Sequence, residues 1–123
     1  MANLQIFARA ENARTFASGT KIVTQGESGD EMFVVLEGTV DVLIGDRVLL
    51  SLGPGEILGE MALVEDDHLR HADVVAKSDV KLVPIDRRQF IFLVQNHPNF
   101  ALEVMKTMAE RLDLMNKHLL GPR

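Results

Sequence analysis

The chain predicts an α+β fold: a roll or sandwich of short strands with a short helix before it and longer helices after it. Two features of the sequence carry that prediction. Eight of the nine glycines lie between positions 19 and 59, where they divide short runs rich in Val, Ile, Leu and Phe. Strands punctuated by glycine at this even spacing indicate a compact sandwich or roll. Beyond position 85 glycine is absent until 121, and apolar residues return at helical spacing instead.

Taken in order, residues 4–13 read as a short helix with Leu4, Phe7 and Ala8 on one face. Strands are expected at 21–25, 32–36, 40–44 and 48–50. Val40, Val42 and Ile44 share one side because side chains alternate along a strand. Gly45 stands at the first central position of a tight turn joining the last two runs. The final strands fall at 74–76 and 80–85, with Pro84 at a strand end or edge because it has no amide hydrogen to give a ladder. Asp86 and Gln89 have the spacing of a capping box, leading a helix through 90–94. Pro98 suits the first turn of another helix. In that helix Ala101, Met105, Met108, Leu112, Met115 and Leu119 recur at steps of four and three, a heptad seam that ends before Gly121 and Pro122.

Composition narrows the function. At 123 residues the chain suits one domain, 1–123, with a core of useful size. It has no cysteine, which excludes disulfides and thiolate metal sites and suits a reducing compartment. It carries no signal-like N-terminus and no twenty-residue apolar run, so a cytoplasmic protein without a membrane partner is expected. A net charge of −5 disfavours nucleic acid, whose non-specific affinity comes from basic residues. With neither Trp nor Tyr, stacking on a base falls to Phe, aliphatic and Arg groups. No Ser or Cys nucleophile is paired with a base, and an enzyme is not expected.

The chemistry concentrates at 52–63 and 70–72. A Gly-Pro-Gly turn at 53–55 ends a strand, and Gly59 opens a single helical turn. Unpaired amides at the start of such a turn attract an anion, and a side chain at Gly59 would block close approach to the backbone. Arg70 offers a planar fork that fits a phosphate and keeps its charge. Glu60 repels a phosphate, so it makes sense as an acceptor for another group of the same ligand, such as a ribose hydroxyl. The plainer alternative is a capped turn with a Glu60–Arg70 surface salt bridge.

Gly59-Glu60-Met61-Ala62-Leu63 and Arg70-His71-Ala72 closely resemble the phosphate-binding cassette of the cyclic-nucleotide-binding family, of the catabolite-activator and protein kinase A regulatory-subunit type. The run from Gly26 through Gly38 to Val40 resembles the turn-strand-glycine signature that precedes the cassette there. The resemblance covers about 16–120. It implies a stand-alone β-roll (a double-stranded β-helix, jelly-roll-like) at 16–85, with the cassette at 53–73 and C-terminal helices at 86–120. It further implies that Glu60 holds the ribose 2′-hydroxyl and Arg70 the cyclic phosphate, with amides near Met61, Ala62 and Ala72 around its oxygens. Met115 and Asn116 fall where the catabolite-activator type places polar, base-reading residues; Asn116 can bond an adenine edge, whereas Met115 cannot read it by strong hydrogen bonds. The implied ligand is cAMP or cGMP, with no metal, and the implied partners are a second copy through the C-terminal helix and an unidentified downstream protein.

Two positions depart from the family pattern. His71 replaces a small or hydroxyl residue, and either donates to the ligand or points to solvent. Asp73 replaces a common threonine, and strand alternation suggests pairing with His71 or Arg70. Glu65, Asp66 and Asp67 read as a solvated loop tip, and His68, His71 and His97 lack zinc spacing. Two charge-assisted bonds from Arg70 and one to Glu60 contribute about 5–9 kcal/mol, against about 8 for micromolar binding before association costs. Useful affinity therefore requires the C-terminal helix to bury the base, which couples binding to movement of that helix. The rival readings are a degenerate module that docks or dimerises without nucleotide, a fragment of a catabolite-activator-type transcription regulator, and the regulatory piece of a kinase or channel.

Overall fold

The computed structural model describes Phe7 and residues 10–120, apart from the side chains of Met115 and residues 118–120. The central strand is β3 (Glu31–Glu37), whose unbroken apolar run is buried on both faces. Met32 and Val34 point to a core shared with the helices, while Phe33 and Val35 point to a core between two sheets. That double burial explains why the run does not alternate with polar residues.

The remaining strands are β1 (Arg14–Phe16), β2 (Lys21–Val23), β4 (Val40–Ile44), β5 (Arg47–Leu52), β6 (Ile57–Leu58), β7 (Asp73–Ala76) and β8 (Val80–Asp86). They form two four-stranded antiparallel sheets, ordered β1-β8-β3-β6 and β2-β7-β4-β5. The inter-sheet core joins Phe33, Val35 and Leu82 of the first sheet to Val40, Leu52 and Val74 of the second. A single-turn helix α1 (Met61–Val64) follows β6, and α2 (Arg87–Asn96) and α3 (Asn99–Leu120) follow β8. This is the β-roll with flanking helices that the sequence implied.

Local chemistry accounts for most boundaries. The capping box at α2 is complete: Gln89 N–H donates to Asp86 Oδ1 at 2.8 Å, and Asp86 N–H donates to Gln89 Oε1 at 2.9 Å. Gly45 turns the β4–β5 hairpin at φ 61°, and a bulge nearby shifts the register between Val42 and Leu43. Pro84 lies inside β8, yet β1 pairs only with residues 80–82 of that strand. The Pro84 carbonyl accepts from the Asn12 side chain at 3.3 Å on the β1 side, so its nitrogen faces the same way. The proline thus costs no bond to β3 and sits at a local edge, as its chemistry requires.

Three expectations are corrected. Strands β1 and β6 had no sequence signal strong enough to place them, being three and two residues long. The expected helix at 4–13 does not continue to its end, since residues 11–12 form a turn; Leu4 and Ala8 lie outside the described residues. The heptad seam is divided. Met108 packs against the core with buried Phe100 and Val104, whereas Met105 and Leu112 are exposed. Met115 and Leu119 lie outside the described side chains.

Phe100 fixes α3 against the roll, its ring 6.0 Å from that of Phe7 and 5.7 Å from that of Phe90. Phe100→Ala should lower stability by about 3–5 kcal/mol, the usual cost of an emptied aromatic core site. Urea denaturation followed by circular dichroism measures it.

Candidate functional site

The site is assembled where β6 ends. Gly59 takes φ 76°, a backbone conformation that glycine alone adopts without strain, and turns the chain from β6 into α1. A β-carbon there would also come within 2.7 Å of Arg70 Nη1 and 3.3 Å of the Glu31 carbonyl. Ala62 N–H donates to the Gly59 carbonyl at 3.2 Å, so that amide is already engaged. His68, at φ 53°, closes the loop after α1 by donating from Nδ1 to the Ala62 carbonyl at 2.7 Å.

Arg70 is set by backbone pairing with the glycine-rich turn before β3. Arg70 N–H donates to the Glu27 carbonyl at 2.8 Å, and Gly26 N–H donates to the Arg70 carbonyl at 2.9 Å. The two sequence signatures thus meet side by side, Glu27 and Arg70 being 43 positions apart in the chain. The Arg70 guanidinium lies 5.9 Å from the centre of the Phe33 ring and reaches the Gly59 carbonyl only at 3.4 Å. Burial pushes its pKa down from the ordinary value, opposed by the charges of Glu31 and Asp30, and an arginine so placed remains a cation at neutral pH. Among the described residues it makes no ion pair, since Glu31 is taken by Arg14 at 3.1 Å.

Glu60 is the buried charged residue of the described chain, 6% exposed. A carboxylate removed from water needs a partner. That partner is not Arg70, as the plain salt-bridge reading supposed, but Arg111 of α3, whose Nη1 lies 2.5 Å from Glu60 Oε1. The other arm of Arg111 donates to the Ile57 carbonyl. Sequence reasoning missed Arg111. Its signal was present, because Val104, Met108 and Arg111 fall at i, i+4 and i+7 and put a cation on the buried face of α3.

These groups border a cavity of about 620 Å³ at one end of the inter-sheet space. Its walls are mostly aliphatic, with Val42, Ile44 and Leu50 from the second sheet and Met108 and Leu112 from α3. Its polar lining includes Glu60, Arg70, His71 and Arg111, and Gly59, Met61, Ala62 and Ala72 complete the cassette side. Seven of the eight site residues read from sequence therefore come together. Asn116 does not: it is half-buried on α3, one turn beyond Leu112, and is absent from the cavity lining.

Of the two departures from the family pattern, Asp73 is placed otherwise than expected. Asp73 pairs with neither His71 nor Arg70. Its carboxylate accepts from Gln25 N–H at 2.7 Å and lies 3.6 Å from Lys21 Nζ, which removes it from the cavity and ties β7 to β2. His71 Nε2 lies 3.0 Å from Glu65 Oε1. Ligand-type atoms of Glu65, Asp67 and His71 lie within 4.8 Å of one another, and Asp66, the third acid of the loop tip, is not among them. The loop folds back through His68, and Asp67 Oδ1 accepts from Leu69 N–H at 3.0 Å.

Among the described residues, the end cavity of the roll presents an unpaired guanidinium, a glycine-opened turn and a buried acid, the chemistry of a class of folds that can hold an anion and a hydroxyl. The family comparison gives that class its name. The model of the cyclic nucleotide-binding domain matches residues 13–97, more than half the chain, and the chain belongs to that family. It is 41% identical over 103 residues to a cyclic nucleotide-gated potassium channel of Mesorhizobium japonicum, covering 84% of this chain and 28% of the channel. Among solved structures it is similar to the catabolite activator protein of Thermus thermophilus, with 31% identity and a TM-score of 0.74 over 87% of this chain and 52% of that one. It is equally similar, at 31% identity and a TM-score of 0.74, to a structure from work on a cyclic-GMP-dependent signalling pathway that regulates bacterial phytopathogenesis; there 89% of each chain is covered. The chain thus spans under a third of that channel and about half of that activator. No described helix is long and apolar enough to cross a membrane.

Proposed function

We propose that this domain is a non-enzymatic receptor for a 3′,5′-cyclic purine nucleotide, cAMP first and cGMP second, that signals through movement of α3. The observation that supports it best is the contrast between the two arginines of the cavity. Arg111 is spent on Glu60, while Arg70 is half-buried with no ion pair among the described residues. A partly desolvated guanidinium held by no direct ion pair is a seat for an anion. The cyclic phosphate goes to Arg70, with Gly59, Met61, Ala62 and Ala72 around it. The ribose 2′-hydroxyl goes to Glu60, and the base to the aliphatic wall under α3.

Glu60 already binds α3 through Arg111, so a hydroxyl that shares this carboxylate alters the contact that holds the helix. Closing of α3 over the base would bring Asn116 to its edge, with His71 at the mouth of the cavity. Residues 1–123 act as one unit in this reading, the roll at 16–85 receiving the ligand and the helices at 86–120 reporting it. The exposed face of α3, with Leu102 and Met105 three positions apart, is offered to a second copy or to an effector. The output, whether channel, transcriptional or other, belongs to that partner or to chain outside these residues.

A second reading has one observation in its favour: the Glu60–Arg111 pair fills the acceptor position, as in a module that docks without nucleotide. Titration calorimetry with cAMP and cGMP separates the two. Saturable heat at micromolar to sub-millimolar ligand is expected, and silence with both at millimolar concentration would favour the docking module.

A further inference from the structure

We propose that Gly29 is a positioning residue whose lack of a side chain gives the Arg70 guanidinium its seat; this rests on the reading above that Arg70 receives the ligand's phosphate. Several glycines of this chain are required by their own backbone, with φ between 61° and 89° at Gly19, Gly26, Gly38, Gly45, Gly55 and Gly59. Gly29 is not one of them, so its conformation is open to any residue. What a β-carbon at 29 would meet is Arg70 itself. It would lie 2.5 Å from Nη2 and closer still to Nε and Cζ, and these are its three nearest neighbours. At Gly38, by contrast, a β-carbon would strike the Asp79 backbone carbonyl, which cannot move without the fold.

The backbone explains why the two residues are forced together. Gly29 N–H donates to the His68 carbonyl at 2.8 Å, and Ser28 bridges to Leu69. Arg70 is anchored to Glu27 by its own amide, so its side chain must fold back across position 29. Gly59 borders the same guanidinium at Nη1, and the Phe33 ring lies 5.9 Å from Cζ. With no carboxylate holding Arg70 among the described residues, this steric seat sets where its two donors point. The far end of an arginine yields readily. A methyl group at 29 therefore re-aims the guanidinium and leaves the fold standing.

The test uses Gly29→Ala alone and with Arg70→Ala. Thermal unfolding of Gly29→Ala should stay within about 2 °C of the parent, as for a substitution that meets no rigid neighbour. Its affinity for the tighter of cAMP and cGMP should fall about tenfold or more, because a misdirected guanidinium loses charge-assisted bonds. In the Arg70→Ala background the same change should cost less than about twofold, since contacting residues are non-additive. Without any nucleotide, the ¹⁵N Nε–Hε resonance of Arg70, identified by its loss in Arg70→Lys, should move in Gly29→Ala. Equal affinity losses in both backgrounds, or an unmoved resonance, would overturn the proposal. If the parent protein bound neither nucleotide, the receptor reading would fail, and the resonance alone would decide whether Gly29 seats Arg70.

Discussion

Arg70→Ala should weaken cyclic-nucleotide binding at least tenfold and leave the fold intact. The magnitude follows from what the guanidinium supplies. Two charge-assisted hydrogen bonds to a phosphate contribute about 1.5 kcal/mol each at the low end. Losing both is about 3 kcal/mol, on the order of a hundredfold in affinity. The fold is expected to survive because Arg70 has so little to lose within the protein: a carbonyl at 3.4 Å and the edge of contact with Phe33. Calorimetric titration of parent and variant, beside their melting curves, reads both halves. An unchanged affinity would mean that the phosphate does not lie on Arg70. Arg70→Lys should be intermediate, keeping the charge but not the planar fork.

Arg111→Ala should do the reverse and strike stability first. The Glu60 side chain is 8% exposed and that of Arg111 21% exposed, so the pair is mostly withdrawn from water. Removing one member of a buried pair leaves an uncompensated charge, at about 3–5 kcal/mol. The residual exposure of Arg111 places this case at the lower end, about 3 kcal/mol, or a fall on the order of 10 °C in Tm for a domain of this size. Glu60→Gln with Arg111→Met should recover most of that loss, because neither partner is then left charged and alone. A double substitution no more stable than Arg111→Ala would show that the pair is not what holds α3 at the cavity. The same contact explains how a ligand is felt at a distance, since it joins residues 51 positions apart and connects the cassette directly to α3.

How much of this could be read from the residues depends on how local the determinants are. The strands β3, β4 and β8 were legible because each is an apolar run bounded by glycine or by a helix cap. The cassette was legible because Gly59, Glu60 and Arg70 are unusual in combination and carry distinct chemistry. Strands β1 and β6 were not, because three or two residues hold no period and form only when β8 and β3 present an edge to them. Asp73 was misplaced for a similar reason. Alternation gives the side on which a carboxylate lies, but not that Lys21 and the Gln25 amide are waiting on the neighbouring strand.

The heptad reading of α3 shows the same limit. Periodicity identified the helix but joined two faces into one seam, because Met105 and Met108 look alike in sequence while one faces water and the other the core. Arg111 sits on the inner face, and its partner lies on a turn that only the fold brings near. Gly29 is the subtlest case. In sequence it is one glycine of a turn, and its relation to Arg70 exists only because the segments at 26–29 and 68–70 lie against each other.

The most direct measurement is a thermal-shift panel of 3′,5′-cyclic mononucleotides set beside their linear 5′-monophosphates and nucleosides. A ring-closed phosphate that carries a single charge and a free 2′-hydroxyl should raise the Tm, and the linear and phosphate-free compounds should not. A response to linear nucleotides as large as to cyclic ones, or to none of the panel, would contradict recognition of a cyclic ester by Arg70 and of its sugar by Glu60.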